Sequence, residues 1–158
     1  MFTVELKDQA VTAALMRAYA EMEDATPLMQ DIGELLTEST KQRFLNGRAA
    51  DGTVWAPNSA STLARKKDPR PLFGETRSLS SQIFSEAGRD QVEVGSNRIQ
   101  AATMQFGAAK GAFGTMANGS PIPWGTIPAR PFLGISAEDR DGILEAIAAW
   151  MSGALTAP

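Results

Sequence analysis

Few residues of this 158-residue sequence are of a type that could do chemistry. It contains no histidine and no cysteine, which removes the commonest general base near neutral pH, the commonest metal ligand and all thiolate chemistry. The candidate carboxylates are Glu34 and Glu38, then Glu138, Asp139 and Asp141. A solvated helix face accounts for the first two, and the positive N-terminus of a helix accounts for the other three. We therefore predict a protein that is not an enzyme, with no catalytic, cofactor-binding or metal-binding residues.

The basic residues allow one further binding chemistry. Arg65, Lys66 and Lys67 could hold a phosphate group, although cations are also favoured at the C-terminal end of a helix without any ligand. The net charge of −3 gives no broad basic face for gripping nucleic acid. Because no apolar run reaches about 18 residues and the N-terminus lacks the features of a signal peptide, we expect a soluble protein made inside the cell, with no membrane contact.

A long helix is the best-defined element of the sequence. Thr26-Pro27 combines a hydroxyl cap with a proline in the first helical position, and Asn46-Gly47 is a typical C-terminal stop. Between them the apolar residues recur at helical spacing and form one stripe. The stripe consists of Leu28, Ile32, Leu35, Leu36 and Phe44.

The other patterns predict an α+β fold. The first half of the chain adds a strand at 2–7, a helix capped by Asp8, and a short helix that Asn58 or Ser59 caps and that runs to about Lys67. The second half adds a helical turn at 75–79, a hairpin of 81–87 and 91–95, a short helix at 99–106, and a last helix opened by a capping box at 136–139. We expect one domain over residues 1–158. In it, a small, mainly antiparallel sheet packs against the long helix and the C-terminal helix, and residues 131–135 are a candidate further strand.

Two segments near the C-terminus look suited to reaching a partner. Residues 107–126 form a long loop rich in Gly and Ala, and such loops are usually functional. Residues 127–135 form an extended arm, in which Pro128 and Pro131 restrict the backbone around Arg130. This restriction lowers the entropy lost in holding Arg130 out toward a partner. The alternative is that the prolines only shape a turn and leave Arg130 in water.

Three motifs give the sequence a resemblance to a known family. They are DGTVWAP at 51–57, QFG at 105–107 and IPARPFLG at 127–134. In this order and spacing they resemble the virion morphogenesis, or tail completion, family of Mu-like tailed bacteriophages and prophages, and the resemblance covers nearly the whole chain. The sequence departs from the family's pattern at Met104, where relatives often carry histidine, and at 76–79.

The resemblance implies a structural protein of the virion neck, where the tail meets the head. Such proteins are similar to tail terminators, small α+β subunits that form rings, commonly hexamers. The expected partners are further copies of the chain, the tail tube and the head–tail connector. DNA is expected to pass through the ring without specific binding. The protein would assemble in the cytoplasm of the host bacterium and reside in the virion.

The expected subunit or partner contacts come from these motifs and from the arm. Phe132 and Leu133 would be apolar anchors, and Trp55 could either anchor a partner or cover the edge of the core. The six expected contact residues are Trp55, Gln105, Phe106, Arg130, Phe132 and Leu133.

Other functions stay open at this point. Within the assembly class, an adaptor or stopper protein on the head side of the portal is an alternative to a tail terminator. A carboxylate-dependent hydrolase acting in particle maturation is a weaker hypothesis, since no pair of carboxylates is evidently placed across a cleft. A nucleic-acid-binding accessory using Arg65 to Lys67 is weaker still.

Overall fold

The computed structural model describes residues 9–156, and it confirms the predicted α+β class. Five α-helices and one two-stranded antiparallel sheet make up the described part of the chain. The α-helices are α1 (Gln9–Glu23), α2 (Thr26–Asn46), α3 (Ala60–Leu63), α4 (Ala101–Phe106) and α5 (Ala137–Thr156); a 3-10 turn lies at Ser80–Gln82; and the strands are β1 (Phe84–Ala87) and β2 (Val92–Gly95).

Helix α2 is the central element, because both strands and α5 pack against it. It begins where the sequence predicted, but the cap is different: the carboxylate of Asp24 accepts the backbone N–H and the hydroxyl of Thr26. Thr26 is itself the first helical residue, so its free N–H needs an acceptor from an earlier residue. The helix ends at Gly47, whose positive φ of 64° is the left-handed conformation that glycine adopts at little cost.

The hairpin of β1 and β2 lies across α2. Its register pairs Phe84 with Gly95 and Ala87 with Val92, as the predicted hairpin requires. Val92 and Val94 face the apolar stripe of α2. Gly33 makes the close approach possible, because a Cβ atom at this position would lie 2.8 Å from Cβ of Ser85.

Two apolar clusters share Val94 and form the core. In the first, α5 covers the stripe of α2, and Ile147 and Trp150 pack against Leu28, Ile32 and Leu36. The second cluster holds the aromatic residues, and its buried members are Phe44, Trp55, Phe73, Leu79, Ile83, Ala101 and Phe132. Since α2 contributes residues to both clusters, this helix connects them.

Helix α1 has little cover. Within the described residues its only helical or strand neighbour is α5, and Ala18 is its one buried residue. Leu15, Tyr19 and Met22 on this helix are exposed. Among the described residues, α1 therefore presents large apolar side chains at the surface.

The structure corrects three of the predicted elements. Residues 131–135 are extended but form no strand. The helix after Ser59 ends at Leu63 rather than near Lys67, and the helical turn expected at 75–79 is replaced by a 3-10 turn at Ser80–Gln82. The predicted strand at 2–7 and the cap at Asp8 lie outside the described residues.

The close contact at Gly33 gives a first prediction. We expect Gly33→Ala to lower the free energy of unfolding by about 1–2 kcal/mol, because overpacking against β1 outweighs the gain in helix propensity. Gly153→Ala is the matched control: it lies within α5, a Cβ there meets nothing within 4 Å, and it should stabilise by about 0.5–1 kcal/mol. Urea unfolding of both variants checks this, and equal shifts of the same sign would contradict it.

Candidate functional site: a side-chain clamp around the arm

The arm at 127–135 lies along the subunit with Arg130 and Phe132 turned inward and buried, while Pro128, Pro131 and Ile135 are exposed. Hydrogen bonds from the rest of the subunit satisfy its backbone. The side-chain oxygen of Gln105 accepts the N–H groups of Phe132 and Leu133, each at 3.0 Å, and its amide nitrogen donates to the carbonyl of Leu133 at 3.2 Å. The N–H of Arg130 donates to the carbonyl of Met104. The arm therefore needs no strand partner, which is the physical reason that the strand predicted at 131–135 is absent.

Arg43 holds the arm from the side of α2. One of its terminal nitrogens donates to the carbonyls of Phe132 and Gly134, at 3.0 and 2.9 Å. The other donates to the hydroxyl of Ser39 and to the carboxylate of Asp139. A single guanidinium thus joins α2, the arm and the first turn of α5, and both ionised side chains are buried.

Trp55 and Arg130 tie the arm to the loop at 51–57. The indole N–H of Trp55 donates to the carbonyl of Pro131 at 2.8 Å. In the reverse direction, Arg130 donates to the carbonyls of Ala56 and Pro57, at 2.7 and 2.8 Å. The DGTVWAP loop and the IPARPFLG arm are therefore two halves of one interlocked structure.

Phe132 fills the space that these polar contacts surround. It has no exposed surface, and its ring lies 5.3 Å from that of Phe44, which in turn makes an edge contact with Trp55 at 5.6 Å. Leu133 is half-buried and packs on the same cluster. We call the four polar residues Arg43, Trp55, Gln105 and Arg130 the clamp.

Asp139 connects the clamp to the start of α5. It forms the predicted capping box, in which Ser136 and Asp139 exchange side-chain and backbone hydrogen bonds. Burial raises the pKa of Asp139, but hydrogen bonds from Ser39 and Ser136 and the charge of Arg43 outweigh burial, so the pKa is lowered from its ordinary value. The carboxylate therefore stays ionised and paired with Arg43 at neutral pH.

The six expected contact residues differ in how far the structure buries them. Trp55, Arg130 and Phe132 are buried and Gln105 and Leu133 are partly buried. Their observed contacts are internal, and Arg130 is neither held outward nor left in water, because backbone carbonyls take up its guanidinium. Phe106 differs from the others, since 78% of its surface is exposed. Within this set Phe106 offers a neighbouring molecule the largest free surface.

Sequence reasoning missed Arg43 and the role of Asp139. One available signal was position: Arg43 falls on the face of α2 that also holds Leu36 and Thr40, all of them buried. A charged residue on a buried helix face needs a partner, and the pairing with a carboxylate 96 positions later is visible only in three dimensions.

The loop at 107–126 folds back on itself and is held by backbone hydrogen bonds. Isolated bridges join Ala108 to Ile127 and Thr115 to Pro121. At its base Gly107 has a φ of 75°, and a Cβ there would lie 2.7 Å from the carbonyl oxygen of Ile127, so only glycine fits. We call residues 107–127 the ribbon. Large apolar side chains stand exposed on it, namely Phe113, Met116 and Trp124.

The basic segment at 65–67 is partly used within the subunit. Lys66 donates to the carbonyl of Arg70 at 2.5 Å, and burial lowers its pKa. Arg70 pairs with Asp68 and holds the pKa of that carboxyl at about 2, and it also lies 3.9 Å over the ring of Phe73. Lys66 and Arg130 line a groove of about 540 Å³ at the base of the ribbon, but both side chains already have carbonyl partners.

The candidate carboxylates lie in two open depressions. Glu38, Glu138, Asp139 and Asp141 line a groove between α2 and α5, and Glu34 lies with Glu38 in a depression beside β1. Among residues 9–156, no group of three or more acidic residues is placed to hold a metal ion. No helix in the same range is long and apolar enough to cross a membrane.

Comparison with known protein families identifies the family of the chain. The model of the phage virion morphogenesis family matches residues 6–152, a range that holds the arm, the clamp and the ribbon. The chain belongs to the phage virion morphogenesis family.

Two relatives from a Mu-like prophage and from phage Mu are similar to this chain in sequence. The Mu-like prophage FluMu G protein 2 of Haemophilus influenzae is 31% identical over 149 residues, which cover 93% of this chain and 94% of that protein. The putative capsid assembly protein G of Escherichia phage Mu is 31% identical over 125 residues, covering 76% of this chain and 75% of the relative. No solved structure gives a significant match.

The hydrogen bonds of Gln105 to the arm predict that this residue contributes to the free energy of unfolding. We expect Gln105→Leu to lower the free energy of unfolding by about 2–4 kcal/mol, because two backbone N–H groups and one carbonyl of the arm lose their partner. Gln30→Leu, on the exposed face of α2, is the matched control and should change stability little. Urea unfolding followed by circular dichroism measures both, and similar values for the two variants would show that the arm does not depend on Gln105.

The Arg43–Asp139 pair gives a pH prediction. The folded-state pKa of Asp139 lies below its ordinary value of 3.8, so its stabilisation is present above that value and is lost as the pH falls through the folded-state pKa. At pH 7, Asp139→Asn should cost about 3–5 kcal/mol, because the Arg43 charge stays buried and loses its partner. The gap between wild type and variant should narrow in acid.

The control for this experiment is Asp141→Asn, which alters an exposed carboxylate two residues further along α5. Its unfolding free energy should stay close to that of the wild type between pH 3 and 7. If the gap between the wild type and Asp139→Asn were constant over this range, the carboxylate would not be the group responsible.

Proposed function

We propose that the chain is a structural component of the phage neck, a ring-forming tail-completion protein that acts like a tail terminator and joins the tail to the head. The observation that carries the proposal is the distribution of contacts. Most of the motif residues are used inside the subunit, whereas large apolar side chains stand exposed on the ribbon and on α1. Apolar surface of this kind marks sites of protein–protein contact.

The proposed partners follow from this role. Copies of the chain would form a closed ring, by analogy a hexamer, since a subunit with two different contact surfaces builds rings or filaments. The tail tube and the head–tail connector would lie on either side of the ring. A net charge of −3 favours passage of DNA through the ring without specific binding. Assembly would take place in the bacterial cytoplasm, and the finished protein would reside in the neck of the virion.

An adaptor or stopper on the head side of the portal is the second candidate. The name of the phage Mu relative, a putative capsid assembly protein, favours a position on the head side. Both candidates need a ring of subunits, and they differ only in which half of the particle retains the protein.

A null mutant of the phage gene tests the proposal. We expect the lysate to contain filled heads and complete-length tails that are not joined, and wild-type protein supplied in trans should restore plaque formation. Joined, infectious particles at the normal yield in the absence of the protein would refute the neck function.

Mass spectrometry of purified heads and tails then separates the two candidates. Recovery of the protein on tails isolated without heads indicates the terminator, and recovery on heads isolated without tails indicates the adaptor. A reconstruction of the wild-type neck would give the ring order and show directly which surface faces the tail tube.

A further inference from the structure

The charges of the chain are divided between two halves. Residues 9–46 and 137–156, which form α1, α2 and α5, contain four basic and ten acidic residues, a net charge of −6. Residues 47–83 and 96–133, which hold the arm and the ribbon, contain nine basic and three acidic residues, a net charge of +6. We call them the acidic half and the basic half. The residues outside the two halves, among them the hairpin, carry the remaining net charge of −3, so the total for the chain hides this separation.

Each half also carries its own exposed apolar surface. On the basic half this surface is the ribbon, where Trp124 is 70% exposed and Phe113 on the same loop is also exposed. On the acidic half it is formed by two helices that pack on each other, and we call it the helical face. Its exposed residues are Leu15, Tyr19 and Met22 on α1, with Leu144, Met151 and Leu155 on α5.

The helical face has the spacing of a docking surface. Leu15, Tyr19 and Met22 recur at intervals of four and three residues, and Leu144, Met151 and Leu155 recur at seven and four, so each set forms a stripe along its helix. Acidic residues follow two of these positions in the sequence, since Glu23 comes after Met22 and Glu145 after Leu144. The ribbon has the opposite character, because its one charged residue is Lys110.

We propose that the ribbon of one subunit docks on the helical face of the next copy of the same chain. This inference rests on the proposed ring and names the two surfaces that would build it. Apolar side chains of the ribbon would cover those of α1 and α5, while the basic half of one copy lies against the acidic half of its neighbour. A symmetric dimer would place two acidic halves or two basic halves against each other, and repulsion between charges of the same sign disfavours it.

This arrangement is heterologous, since each subunit uses two different surfaces. Repeated around an axis, a contact of this kind builds a ring when the rotation between neighbours closes. It also accounts for the weak cover of α1, because the apolar side chains left exposed on that helix become buried only when a neighbour arrives.

Two complementary variants test the proposal. Variant R carries Phe113→Asp and Trp124→Asp on the ribbon, and variant H carries Tyr19→Asp and Leu144→Asp on the helical face. All four side chains are exposed, so both variants should fold, which circular dichroism and thermal unfolding check. Ile99→Asp is the control, because Ile99 is 97% exposed but lies outside both surfaces.

Sedimentation velocity over a range of concentrations gives the readout. Wild type and Ile99→Asp should associate into the same oligomer. Variants R and H should each be monomeric, with self-association at least about tenfold weaker than that of the wild type. Mixed in equal amounts they should form a 1:1 heterodimer and nothing larger, because only the ribbon of H and the helical face of R remain intact.

The outcomes distinguish the inference from the proposed function. If R or H still forms the wild-type oligomer, or if R and H do not pair with each other, the assignment of surfaces is wrong while the ring stands. If the wild type stays monomeric in solution and the reconstructed neck holds no ring of the protein, both fail.

Discussion

The fold of this subunit depends on one buried cation. Arg43 reaches from α2 to two carbonyls of the arm and to the carboxylate of Asp139 at the start of α5. Taking a guanidinium and a carboxylate out of water is costly unless every donor finds a partner. The capping box and Ser39 supply the remaining partners. Three segments that are distant in sequence are therefore fixed together by one set of hydrogen bonds.

The same arrangement explains why an extended segment can lie against the core without pairing in a sheet. Each strand of a ladder normally satisfies its backbone on its neighbour. Here Gln105 and Arg43 replace the neighbouring strand, and Trp55 binds the carbonyl of Pro131. The prolines remove N–H groups that would otherwise need partners, and Phe132 occupies the centre of the aromatic cluster. The residues that identify the family in this chain are chiefly those that hold the subunit together.

The surfaces proposed for assembly have less distinctive sequences. The ribbon and the exposed stripes of α1 and α5 present large apolar side chains at the surface of the described subunit, and they lie on halves of opposite net charge. In this proposal, stability and self-association depend on different residues. A substitution in the clamp is expected to reduce stability, whereas a substitution on the ribbon is expected to reduce association and leave the subunit folded.

Local patterns in the sequence were enough to determine α2, the hairpin, the capping box and the α+β class, because these elements rest on helical spacing, alternation and terminal residues within a few positions of one another. The motifs were also enough to indicate the family. Only the tertiary structure decided that Arg130 and Phe132 point inward, that Asp139 pairs with Arg43, and that Phe106 and the ribbon stay exposed. Spacing along the chain reports which face of a helix or strand a residue occupies. The partner of a buried charge, and the direction in which an extended segment turns its side chains, depend on groups up to 96 positions away that come together only when the core closes.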